Sequence, residues 1–276
     1  MNIKLIATDV DGTLLADDHL TIPPININAF RKAKSEGALI AVSTGRPYSL
    51  AKRECDLLDC VDYLILSNGA AVVDMHSAEV LYSCYLPFNS LERIVNVFEK
   101  YPLLYEIYAD CAGYITDYTY EHYFEAEGLP QVFLQEYRKL MRRCSSPWDV
   151  IKTKNVEKFN VSRIPKEYVD SLYAELKEIP DLVYTAGYKG NMEITAVGAD
   201  KGRALKWLAE RLEISPENIM VFGDSGNDAT MLRYAANSYA MKSGNEEAKG
   251  AAKYITSVGN KEGGVGITIN EWLSKK

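Results

Sequence analysis

The sequence has little that would commit a chain to a membrane, a disulfide scaffold or a nucleic acid. No apolar run approaches the roughly 20 residues needed to span a bilayer. Met1-Asn2-Ile3-Lys4 leads straight into an apolar segment, so no signal peptide is expected. Cysteine is scarce: Cys55, Cys60, Cys84, Cys111 and Cys144 are odd in number, scattered, and form no CxxC pair. That argues against a disulfide framework or a zinc site and for a reduced, cytoplasmic setting. The three histidines, His19, His76 and His122, lie in no motif and read as surface or packing residues. No long Lys/Arg run occurs and the formal net charge is -7, which argues against a general nucleic-acid binder. There is no internal repeat and no low-complexity segment. What is present is 47% hydrophobic content over 276 residues, ample for one large domain or two smaller ones.

The first apolar segment, residues 3–8, reads as a short buried strand running into Asp9-Val10-Asp11-Gly12-Thr13-Leu14-Leu15. Asp is depleted in strands, and a buried charge is costly unless paired or bound to a metal. The carboxyl end of a parallel strand is where α/β folds place ligands. Asp9 and Asp11 are therefore expected to do chemistry with a hard cation. A helix from Pro23-Pro24 to about residue 35, with Gly37 at its carboxyl cap, a strand at 39–43, a helix at 47–58 and a strand at 63–66 complete a β-α-β-α-β series, the signature of a parallel sheet. Residues 71–82 alternate like a hairpin.

From residue 87 to about 194 the rhythm differs. Helices are expected near 91–101, 134–143 and 166–179, among short strands at 104–109, 113–116, 157–161, 182–185 and 192–195. After Asp200, a candidate N-cap, the α/β rhythm returns: helix 201–212, strand 219–222, helix 229–235, strands 238–241 and 254–255, a loop at 263–266 and a closing helix at 267–273. The expected fold is α/β, a doubly wound, Rossmann-like parallel-sheet core of residues 1–84 and 196–276, with an inserted α+β domain of residues 85–195.

Four polar clusters sit at segment ends: Asp9/Asp11, Thr44-Gly45-Arg46, Lys201, and Asp224 with Asn227 and Asp228. If the sheet is parallel, they converge. Phosphoryl transfer needs a nucleophile, for which a carboxylate suffices, and an acid/base group for the leaving oxygen and the water. It also needs a divalent cation and fixed donors for the crowded negative charge. Mg²⁺ prefers oxygen ligands, few of them carboxylates. Asp9, Asp11, Thr44, Lys201 and Asp224 supply these parts. The residues alone leave open which of Asp9 and Asp11 moves the proton. Asp228 serves either the metal or a cap, Asn68 either substrate phosphate or strand termination, and Arg46 reads more as a scaffold group than a catalytic one.

Asp9-Val10-Asp11-Gly12-Thr13-Leu14, the Thr of Ser43-Thr44-Gly45-Arg46-Pro47, Lys201-Gly202, and Gly223-Asp224-Ser225-Gly226-Asn227-Asp228 occur in this order with Ser67-Asn68-Gly69-Ala70 between them. In these motifs, which run through nearly the whole chain, it resembles the haloacid dehalogenase (HAD) superfamily of Mg²⁺-dependent phosphatases, within it the Cof-type group with a type IIB cap. The resemblance implies Asp9 as nucleophile and metal ligand, and Asp11 as acid/base with its carbonyl on the metal. It implies that Thr44 holds the phosphoryl group, that Lys201 neutralises it and holds Asp9, and that Asp224 completes the metal ligands with Asp228 beside it. Gly45, Asn68 and Asn227 are candidates for substrate binding in the core. Tyr188 and Glu193 are candidates to face the leaving group from the insertion, which would act as a lid; an ordinary hairpin is the simpler reading of that stretch. The implied activity is hydrolysis of a small phosphorylated metabolite by a monomer or homodimer. A hexose phosphate suits it, but pyridoxal phosphate, FMN or a nucleotide remain open. So do a sugar phosphomutase and, as another class, a non-catalytic sugar-phosphate sensor.

Overall fold

The computed structural model describes residues 2–122, 131–162, 164–185 and 190–275. The chain divides into two compact units, one of residues 1–46, 51–83 and 200–276, the other of residues 47–50 and 84–199.

The first unit is built on an eight-stranded sheet. Its strands are β1 (Leu5–Thr8), β2 (Leu39–Ser43), β3 (Tyr63–Leu66), β4 (Ala71–Asp74), β5 (Val80–Ser83), β12 (Ile219–Gly223), β13 (Asn237–Ala240) and β14 (Tyr254–Ile255), in the order β14-β13-β12-β1-β2-β3-β4-β5. The strands from β14 through β3 run parallel, and β4 and β5 add an antiparallel hairpin at one edge. The register sets Leu5–Thr8 between Ile219–Phe222 and Leu39–Val42, so β1, β2 and β12 end at one level. These central strands are apolar throughout because both faces are covered. On one face Leu5, Ala7, Ala41, Ile65 and Val221 pack against Ala204, Leu205 and Leu208 of α8 (Lys201–Arg211) and Met231 and Leu232 of α9 (Ala229–Tyr234). The next helix, α10 (Glu246–Ala251), adds Ala248 to this cluster.

Strand alternation sends Ile6 the other way. Elsewhere in this unit α1 (Pro24–Ser35) packs on α11 (Gly264–Leu273). Buried Asn26 joins them: it donates to the Leu14 carbonyl and accepts from the Gly266 N–H. α1 begins at Pro24, where the missing N–H costs nothing.

The second unit holds a six-stranded sheet, β10 (Leu182–Thr185), β11 (Met192–Ala196), β9 (Val156–Ser162), β6 (Leu104–Ala109), β7 (Ala112–Thr116) and β8 (Arg142–Cys144), in that order and antiparallel except for β7 with β8. Ile107, Phe159, Val161 and Ile194 pack on Leu91, Ile94 and Phe98 of α3 (Phe88–Phe98) and on Leu172 and Leu176 of α7 (Val169–Lys177). Here sheet and helices are segregated, the α+β arrangement.

Two expected elements are corrected. The helix expected over 134–143 is α5 (Gln131–Leu140); Arg142–Cys144 leaves it to become β8, pairing with β7 and setting Arg142 Nη1 3.0 Å from the Tyr114 hydroxyl. The free edge of β7 outweighs helical periodicity there. Residues 263–266 are not wholly a loop, since α11 starts at Gly264. A Cβ on Gly264 would lie 2.6 Å from the Val258 carbonyl oxygen, and one on Gly266 2.5 Å from that of Ile25. These glycines permit close packing of a helix rather than break it. Three short helices, α4 (Asp117–His122), α6 (Pro147–Ile151) and α10, were not anticipated, although Ser146 and Asp149 form a capping box on α6 and Asn245 caps α10. Among the described residues no helix is long and apolar enough to cross a membrane.

Candidate active site

The level ends of β1, β2 and β12 place Asp9, Thr44 and Asp224 at one edge of the sheet of the first unit. Asp9 is 5% exposed and its N–H donates to the Phe222 carbonyl at 3.0 Å, which extends the ladder one residue past the strand. The chain then turns through Gly12, whose φ of +76° suits glycine and whose added Cβ would lie 2.5 Å from Asp224 Oδ2. Thr13 Oγ1 donates to Asp224 Oδ1 at 3.2 Å. The turn after the first strand is thus shaped around the last predicted cluster.

Lys201 opens α8, capped by Asp200, whose side chain accepts from the Arg203 N–H. A cation at a helix N-terminus is disfavoured by the dipole. It stays because Lys201 is fully buried and its Nζ bridges Asp9 Oδ1 and Asp228 Oδ1, each at 2.6 Å. The other oxygen of buried Asp228 accepts the N–H groups of Asp224 at 2.9 Å and Ser225 at 3.1 Å. Asp228 therefore braces the loop and fixes the lysine.

The charges are unbalanced. Burial, and next the Asp228 carboxylate, push Asp9 well above the usual carboxylate range although Lys201 opposes them. Burial and Asp228 push Asp224 up to about 7. Burial would lower Lys201, but Asp228 and Asp9 hold it above its ordinary value. Asp9, Asp224 and Asp228 each offer an oxygen, all within 4.8 Å of one another. One lysine offsets only part of this charge. An all-oxygen, under-neutralised donor set fits a hard divalent cation such as Mg²⁺.

Asp11 turns elsewhere. Arg46 clasps it with two hydrogen bonds, Nε to Oδ2 at 2.8 Å and Nη2 to Oδ1 at 2.6 Å, and His19 Nδ1 lies 3.3 Å from Oδ1. Burial would raise the Asp11 carboxyl, but Arg46 and then His19 hold it well below its usual range. The hydrogen bond to Asp11 raises His19. Arg46 also lies 3.3 Å from the buried Glu54. His19 and Glu54 are site residues that sequence reasoning missed. His19 stands alone on a turn at φ +56°, and no spacing connects it to Asp11.

Thr44 is 1% exposed; its N–H donates to the Ile65 carbonyl and its Oγ1 accepts from the Arg46 N–H at 3.1 Å. Gly45 lies half-buried between them. Asn68, buried and left-handed at φ +59°, accepts from Asn227 Nδ2 at 3.2 Å, so these two candidates meet. Strain of this kind persists only where the surroundings hold it. Glu193 belongs to the second unit, where it pairs with Lys158. Tyr188 lies outside the described residues.

Metal-free Asp224→Asn protein is expected to gain stability over wild type as pH rises. The fold raises the Asp224 pKa from 3.8 to about 7, so the folded state holds the extra proton between those values and wild-type stability is lost as pH climbs through that window. Asparagine carries no such loss. The gap should reach about 2–4 kcal/mol above neutrality. Urea denaturation in EDTA across this range reads it, and a difference that did not vary with pH would contradict the account.

A parallel sheet with a carboxylate–lysine cluster at the carboxyl ends of its strands defines the core of an α/β enzyme. The profile of the haloacid dehalogenase-like hydrolases matches residues 6–269, and the chain belongs to that family, as a Cof-type phosphatase. It is 29% identical over 275 residues to the 5-amino-6-(5-phospho-D-ribitylamino)uracil phosphatase YcsE of Bacillus subtilis, covering 99% of this chain and 97% of the relative. Its structure is similar to that of a haloacid dehalogenase-like hydrolase from B. subtilis, with a TM-score of 0.82 and 25% identity over 97% of this chain and 99% of the other. In fold it also matches the HAD subclass IIB sugar phosphatase BT4131, at a TM-score of 0.79 and 24% identity over 98% of both chains.

Proposed function

We propose that the protein is a Mg²⁺-dependent phosphomonoester hydrolase acting on small phosphorylated metabolites, sugar phosphates first among them, through an aspartyl-phosphate on Asp9. The observation that carries this reading is the buried Lys201 bridge between Asp9 and Asp228 with Asp224 alongside.

Asp9 uses the carboxylate oxygen not held by Lys201 to attack phosphorus. The Asp9 O–P bond forms, the ester P–O bond breaks, and the leaving oxygen takes its proton from Asp11. Water then gives a proton to Asp11 and attacks phosphorus, which releases phosphate and restores Asp9. Arg46 and His19 hold Asp11 ionised, the form that accepts the water's proton. For the first step the Asp11 carboxyl stands away from the guanidinium and carries the proton it took from water in the preceding turnover, or from solvent in the first. Lys201 fixes Asp9 in one orientation, and the Thr44 hydroxyl, with Gly45, Asn68 and Asn227, contacts the phosphoryl oxygens. Asp9, the Asp11 carbonyl and Asp224 would hold Mg²⁺, with Asp228 in the same cluster, and the ion would neutralise phosphoryl charge.

The inserted unit is read as a type IIB cap that selects the alcohol, and the protein as a cytoplasmic monomer or homodimer. Cys55 and Cys111 are thiols pushed by burial up to about 12, inert in such a setting. The relative that hydrolyses a phosphoribityl compound supports a metabolite substrate bearing hydroxyls.

Phosphate release from a panel of phosphorylated metabolites and p-nitrophenyl phosphate, with Mg²⁺ and with EDTA, tests the reading. No Mg²⁺-dependent release from even the aryl ester would defeat it. Release that required a sugar bisphosphate activator would point to a mutase instead.

A further inference from the structure

The arginine that clasps Asp11 faces two carboxylates and serves them unequally. Glu54 lies on α2 (Tyr48–Leu58), three residues after Ala51 and four before Leu58, on the stripe that packs inward. Ala51, Cys55 and Leu58 of that stripe are buried, and Glu54 is 2% exposed among them. A glutamate there is costly unless it is well paired. Its pairing is poor. Oε1 has Arg46 Nη1 at 3.3 Å and Arg53 Nη1 at 3.4 Å, both long for charged hydrogen bonds. Oε2 is buried with no hydrogen-bond partner among the described residues. Arg53 is exposed and also donates to the Leu20 carbonyl at 2.8 Å.

Asp11 is the opposite case. It is crowded by the site, yet its side chain is 42% exposed, and it takes both short bonds of the Arg46 fork, at 2.8 and 2.6 Å, with His19 besides. A guanidinium that is 12% exposed thus gives its best hydrogen bonds to the carboxylate that water can reach and leaves the buried one short. Stability alone would distribute them the other way, because an unmet acceptor costs more where water is excluded. The reaction supplies a reason. While the fork holds both oxygens of Asp11, neither is open toward a leaving oxygen. When Asp11 turns away, a nearly buried guanidinium loses its partner, which is strongly unfavourable unless a second carboxylate takes over.

We propose that Glu54 is a positioning residue that frees Asp11: it is the second seat of the Arg46 guanidinium, which closes onto Glu54 as Asp11 turns to the phosphoester. The proposal rests on the phosphatase reading and adds to it the means of releasing Asp11. The move is short, because Nη1 is already 3.3 Å from Oε1 and Oε2 of the same carboxylate stands unmet. Asp11, Arg46 and Glu54 all belong to the first unit, so the exchange is complete within it. The guanidinium has a carboxylate partner in either position, and no charge is gained or lost. Without Glu54, Arg46 would hold Asp11 where it is.

Glu54→Gln keeps the shape of the second seat and removes its charge. The readout is kcat/KM for an alkyl ester, a hexose or pentitol monophosphate, divided by kcat/KM for p-nitrophenyl phosphate. Only the alkyl ester needs a proton on its leaving oxygen. The ratio is expected to fall about tenfold or more, through the alkyl ester, with a smaller change for the aryl ester. On an Arg46→Gln background Glu54→Gln should change the ratio no further, because no guanidinium is left to seat. A ratio that stayed put in Glu54→Gln, whether both rates held or both dropped together, would overturn the proposal, because a purely structural role moves both esters alike. An equal fall on the Arg46→Gln background would overturn it too, by showing that Glu54 acts apart from the arginine. Wild-type protein that cleaved the aryl ester but no alkyl ester would overturn it and leave the phosphatase reading standing. No release from any ester would remove that reading and this exchange with it.

Discussion

Asp9→Asn is expected to lower phosphate release by at least ~10⁴-fold and at the same time to stabilise the metal-free fold. The loss follows from chemistry, because an amide oxygen does not form the phosphoryl ester that the second step hydrolyses. The gain follows from charge. Asp9 lies among Asp224 and Asp228, and burial together with Asp228 already pushes its carboxyl well above the ordinary range. Asparagine keeps the shape and an oxygen for Lys201 while removing one of the crowded charges. In EDTA the variant should melt above wild type, and with saturating Mg²⁺ the order should narrow or reverse, since a ligand stabilises in proportion to its affinity for the folded state.

Asp11→Asn supplies the contrast. With p-nitrophenyl phosphate, whose leaving group needs no proton, it should give a burst of nitrophenolate stoichiometric with enzyme and then stall for want of a base. Asp9→Asn should give no burst. An Asp9→Asn enzyme within about tenfold of wild type would mean that another group attacks phosphorus.

How much of this was legible in the sequence depended on whether the information was local. β2 and β3 were readable because a buried parallel strand is a continuous apolar run bounded by turn residues. Asp9, Thr44 and Asp224 were readable as a set because each stands one residue past such a run, and equal register then brings them level. The clasp of Arg46 and His19 on Asp11 was not, since it is made by side-chain directions across 35 and 8 residues and neither partner interrupts a pattern. In α11 the local signal misled, as its early glycines answer to Val258 in the loop just before the helix and to Ile25 far back in the chain, neither of them legible as a contact.

Lys201→Met is expected to cost the most stability of any single change at the site, about 3–5 kcal/mol at neutral pH, along with activity. The lysine is fully buried and is the cation that bridges Asp9 and Asp228. Its raised pKa means that its charge, and the stability tied to it, are fully present below about pH 10. Methionine fills similar space and leaves two carboxylates facing each other without it. Asp228 still holds the Asp224 and Ser225 N–H groups, so it keeps its place and its charge remains where it does harm. Adding Asp228→Asn to Lys201→Met should therefore recover part of the loss, so that the double variant is more stable than the two single changes sum to. Mg²⁺ should recover part of it as well, by standing in for the lost cation, whereas activity should return in neither case because Asp9 is no longer oriented. Denaturation with and without Mg²⁺ separates these effects. A Lys201→Met protein as stable as wild type in EDTA would mean that the cluster relieves its charge by protonation, with Asp9 neutral at rest, and the metal would then have to displace that proton before Asp9 could attack.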